Sequence, residues 1–76
     1  MKAETRDRVV ALHDSIRKKQ DERDNLEAKF RRDLAEASDD PVRRQRIVAD
    51  YSAALAPVCA AISAIYHELG QVMENT

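Results

Sequence analysis

Eight apolar residues between Val48 and Val72 are spaced alternately three and four apart without a break: Val48, Tyr51, Leu55, Val58, Ile62, Ile65, Leu69 and Val72. That spacing is the a/d seam of a helix that packs lengthwise on another helix. A seam of this length needs a partner helix of similar length, and the rest of the chain is long enough to supply one. Residues 3–37 contain no Gly or Pro and are rich in Ala, Leu, Glu, Lys and Arg, a composition with strong helical propensity. Their apolar positions Val9, Leu12, Ile16, Leu26, Phe30 and Ala37 keep the same frame, but Lys19, Arg23 and Asp33 occupy the positions that would complete it.

The only punctuation is Ser38-Asp39-Asp40-Pro41. Asp40 suits an N-cap, and Pro41 suits the first helical position, where no N–H is needed and φ is already set. The chain is therefore expected to be a single all-α domain over residues 1–76. Helix 1 should cover about residues 3–37 and helix 2 about residues 41–74, with a turn over 38–41 and a kink or local opening near Pro57. Arg43, Arg44 and Arg46 fall near the start of helix 2, where the helix dipole slightly disfavours cations.

Two antiparallel helices joined by a turn pair positions whose numbers sum to a constant. Val9 with Val72, Leu12 with Leu69, Ile16 with Ile65, Leu26 with Leu55 and Phe30 with Tyr51 share one such register. Lys19 with Ile62, Arg23 with Val58 and Asp33 with Val48 fall in it too. The expected fold is a long antiparallel two-helix hairpin, coiled-coil-like, roughly 50 Å long at 1.5 Å per residue. In its middle, basic side chains can lay their stems over Val58 and Ile62, and those two residues are expected to stay incompletely covered.

Helix 2 is also apolar or small on its remaining faces, with Ile47, Ala53, Ala56, Cys59, Ala60 and Ala64 among them. A helix apolar nearly all round belongs in an interior. The economical expectation is a homodimer with the second helices at the centre of a four-helix bundle. Leu55, Val58, Ala61, Ile62, Ile65 and Leu69 would then form the core and the subunit contact, the alanines allowing close approach. Docking of the same surface on a different protein is the alternative occupant.

Charged residues make up 36% of the chain and net charge is −1, a balance unlike that of a generic polyanion binder. One cysteine, Cys59, excludes an intrachain disulfide and reads as a small buried hydrophobe. The charged N-terminal stretch does not read as a signal peptide. The longest uncharged run, residues 51–66, is shorter than the roughly 20 residues of a spanning helix. These features give the expectation of a cytoplasmic protein that neither spans nor coats a membrane.

His13 and His67 fall at one level of the hairpin, near Asp14 and Glu68, but off the seam, where surface histidines need no ligand to explain them. No nucleophile-base spacing, phosphate loop or metal-ligand motif is present, so no catalytic residue, metal, cofactor or small-molecule substrate is expected. The expected role is a non-enzymatic protein–protein interaction module: a self-associating hairpin acting as scaffold, adaptor, inhibitor or assembly partner.

The alternative is nucleic-acid binding through a basic face formed by Arg17, Lys18, Arg31 and Arg32, joined at the turn by Arg43 and Arg44. In architecture the expected assembly resembles the Rop family of RNA-binding regulators, which are small dimeric helical hairpins. That likeness is one of shape, carried by no shared motif. Acidic residues Asp21, Glu22, Asp24 and Glu27 interleave with the basic ones, and no exposed aromatic is expected to stack on bases.

Overall fold

The structure, a computed structural model, describes residues 2–74. It is two helices, α1 (Ala3–Ala37) and α2 (Pro41–Glu74), packed against each other as a hairpin, with no strand among the described residues. Phe30 and Tyr51 stack with ring centroids 4.3 Å apart and planes 19° apart, which fixes the register that the seam spacing predicts. At the open end, Arg8 of α1 forms an ion pair with Glu68 of α2.

The turn follows from local chemistry. Asp40 Oδ1 accepts the Arg43 backbone N–H at 3.1 Å, the N-cap bond that the Asp40-Pro41 pair predicts. The Asp40 N–H donates to the Ala37 carbonyl at 3.0 Å, closing a four-residue turn. Ser38, its second residue, has φ 50° and ψ −116°, the first central position of a type II′ turn. A side chain there is strained, since glycine is the residue that position favours. The Arg44 guanidinium reaches back and donates to the carbonyls of Leu34 at 3.1 Å and Ser38 at 2.9 Å. It thus satisfies carbonyls left free at the end of α1 and sits at the negative end of that helix's dipole. The position that disfavours Arg44 within α2 is favourable with respect to α1.

α2 runs unbroken through Pro57. Proline removes the N–H that would bond the Ala53 carbonyl. Ala53 and Pro57 are both exposed, so water can take that carbonyl.

The interior is thin. Among the described residues only Ile16, Ala37, Val58 and Leu69 are buried. Val58 is 5% exposed, which corrects the expectation that the basic middle of α1 leaves it uncovered. Arg23 stands at its level in the register and is itself half-buried, as expected of a long side chain whose aliphatic stem lies along an apolar surface. Ile62, opposite Lys19, is half-buried.

The hairpin measures 56 × 15 × 10 Å, with a radius of gyration of 17.4 Å, against about 11 Å for a compact domain of this length. Its accessible surface is 5768 Å², about 1,100 Å² more than a typical folded monomer of 8.6 kDa exposes.

Candidate interaction surface

The six residues predicted to serve as core and subunit contact lie along the seam between α1 and α2. Val58 and Leu69 are buried there within a single chain, and Leu55, Ala61, Ile62 and Ile65 are half-buried. Val58 and Leu69 are thus already covered and are not free to meet a second molecule. What remains free is the opposite side of α2, where Ala49, Ala53, Ala56, Ala60, Ser63 and His67 follow one another at spacings of four and three and are all exposed. Along its edge stand two large apolar side chains, Val48 (47% exposed) and Tyr66 (50%). They are 18 residues apart, five full turns, and therefore point the same way.

No Asp, Glu, Lys or Arg interrupts residues 51–66. α2 accordingly contains an 18-residue window that is long and apolar enough to cross a membrane by length and composition, and only 11% of that window is buried in the hairpin. The strictly uncharged run, residues 51–66, is shorter than this window, which is why its length alone predicts no spanning helix. Cys59, read from sequence as a buried hydrophobe, is exposed in the single chain because it lies off the seam on this open side.

The basic face is differently placed. Asp14 pairs with both Arg17 at 2.8 Å and Lys18 at 3.1 Å, and Glu27 pairs with Arg31 at 2.6 Å. The hydrogen-bonded Lys18 ammonium, helped by the Arg17 guanidinium, holds the Asp14 carboxyl below its usual range. Arg44 is committed to the turn. Of the six residues proposed for this face, Arg32 and Arg43 alone have side chains without an ion pair or hydrogen bond among the described residues. α1 as a whole carries nine basic and nine acidic residues, so its formal charges balance.

His13 and His67 are both exposed, and no group of three or more His, Cys, Asp or Glu among the described residues is placed to hold a metal ion. The groove beside the Phe30–Tyr51 stack, edged by Leu26, Lys29, Asp33 and Asp50, is shallow and contains no nucleophile–base pair. No protein-family model matches the chain, and neither a curated protein nor a solved structure matches it.

Proposed function

We propose that this chain is a non-enzymatic protein–protein interaction module that pairs with a second copy of itself through the outward side of α2. The paired hairpins form a four-helix assembly with α2 innermost, and act as a scaffold, adaptor, inhibitor or assembly partner for another protein. The observation that carries the reading is the apolar window of α2, of which the hairpin buries 11%. The chain's excess surface points the same way: about 1,100 Å² is more than the roughly 800 Å² per partner of a standard specific interface. Four buried residues among the described ones are a small core for a chain of this length, and a second copy would add to it.

The same window favours a second reading, insertion of α2 into a bilayer. Two features weigh against it. α1, the other arm of the hairpin, carries nine basic and nine acidic residues and cannot follow α2 into hydrocarbon. Insertion would also strip α2 from α1, whose half-buried residues have no other cover.

The test is Ala60→Glu, which places a charge in the centre of the free side without touching the seam. The expected result is a halved mass on a sizing column with light scattering, and a less cooperative thermal melt. A variant that keeps the wild-type mass and melting temperature removes this face from the account. Flotation with neutral lipid vesicles separates the two readings, since the pairing account leaves the protein behind and an inserted α2 carries it upward.

A further inference from the structure

The free side of α2 can be taken further, on the reading that it pairs with itself: we infer that the two copies run antiparallel, with a two-fold axis at the level of Val58. A row of small residues can pair in either direction, and the charges at its two ends choose between them. Within α2, Arg43, Arg44 and Arg46 lie at the N-terminal end, Glu68 and Glu74 at the C-terminal end, with Asp50 the remaining acidic residue. A parallel pair sets Arg43 and Arg46 of one copy beside those of the other at one end and Glu74 beside Glu74 at the other, and aligns the two α2 dipoles. An antiparallel pair sets Arg43 and Arg46 of each α2 beside Glu74 of the other, with Arg44 and Glu68 held within their own hairpin, and opposes the two α2 dipoles. It also brings Asp50 near the level of His67 of the second copy.

The register comes from the row itself. Antiparallel pairing about Val58 sets Ala56 against Ala60, Ala53 against Ser63 and Ala49 against His67 of the second copy. The axis falls at the middle of Pro41–Glu74, so the two helices overlap along their whole length. Large side chains are absent from the centre, which lets the backbones approach closely. The two exposed apolar side chains on the edge also find each other, because Val48 of one copy comes within about 3 Å of the level of Tyr66 of the other, at 1.5 Å per residue. A strip about 50 Å long and about 10 Å wide on each copy buries about 1,000 Å² in all, the size at which a specific interface begins.

The experiment uses the full chain with Cys59→Ala, and adds Gln45→Cys to one preparation and Gln71→Cys to another. Both glutamines are exposed, flank the row, and stand level with each other across an antiparallel pair. Position 45 is about 39 Å from its own copy in that arrangement. Each preparation is treated with a short bismaleimide alone, and then the two are mixed, unfolded, refolded and treated together. The inference predicts cross-linked dimer from the mixture and at least tenfold less from either preparation alone. Cross-linking of Gln45→Cys by itself overturns it in favour of a parallel pair. A dimeric mass without any mixed cross-link overturns the register while leaving self-association standing, whereas a monomeric mass overturns both.

Discussion

Lys19 and Arg23 interrupt the seam of α1, and replacing both with leucine tests the register on which the hairpin rests. Their side chains are 41% and 43% exposed, so each already buries somewhat more than half of its surface, and in the antiparallel register they stand level with Ile62 and Val58. Full burial of a leucine contributes about 1.5–3 kcal/mol relative to exposure, and the existing burial offsets roughly half of that. The pairs given up, Lys19–Glu22 at 3.2 Å and Arg23–Asp24 at 3.7 Å, are exposed and worth at most a few tenths of a kcal/mol each. The net expectation is a gain of about 1 kcal/mol per site and 1–2 kcal/mol for the pair, allowing for coupling between neighbours one turn apart. For a chain of this size that raises the melting temperature by about 5–15 °C. The assay is thermal and urea unfolding followed by helical circular dichroism, at one protein concentration throughout, because association adds to apparent stability. A lowered melting temperature in both single variants would refute the reasoning, since it would mean that positions 19 and 23 do not face Ile62 and Val58.

Three further outcomes follow from the turn and the charged face. Ser38→Gly should stabilise by about 1 kcal/mol in urea unfolding, because glycine adopts the observed positive φ without strain, and a loss would show that Ser38 does something the turn geometry does not reveal. Arg44→Ala should cost roughly 0.5–1 kcal/mol and increase hydrogen exchange of the amides around the turn, while Arg44→Lys recovers part of the loss through charge alone. The Asp14 carboxyl has a lowered pKa in the folded chain, so its contribution is complete above the unfolded value near about 4 and is lost as pH falls through the folded value. Asp14→Asn should therefore be slightly less stable than wild type at neutral pH and indistinguishable from it in acid, as measured by paired melts across that range.

The hairpin and its pairing were legible because they depend on periodicity. The interrupted seam of α1 still points Phe30 at Tyr51, and one aromatic stack confirms the alignment. Less legible was anything decided by a long side chain or by an unusual backbone. Arg44 looks misplaced at the start of α2 until the return of the chain brings the end of α1 within its reach. Ser38 carries no hint of positive φ, because the usual signal for a type II′ turn is glycine. Arg23 reads as a gap in the seam, yet Val58, level with it in the register, is only 5% exposed. The candidate surface was half legible: an apolar α2 announces that something must cover it, but two of the seam residues that look most like an interface, Val58 and Leu69, are buried inside the hairpin and the other four are half-buried. The side left over is made of alanines, whose pattern is too weak to stand out beside the stronger seam.

The measurement that tests the central claim most directly is the absolute mass of the wild-type chain in solution, by light scattering on a sizing column over a wide range of loading concentrations. The account predicts twice 8.6 kDa at the higher concentrations, with the melting temperature rising as concentration rises. A stable, cooperatively folding species of 8.6 kDa at every concentration would contradict it.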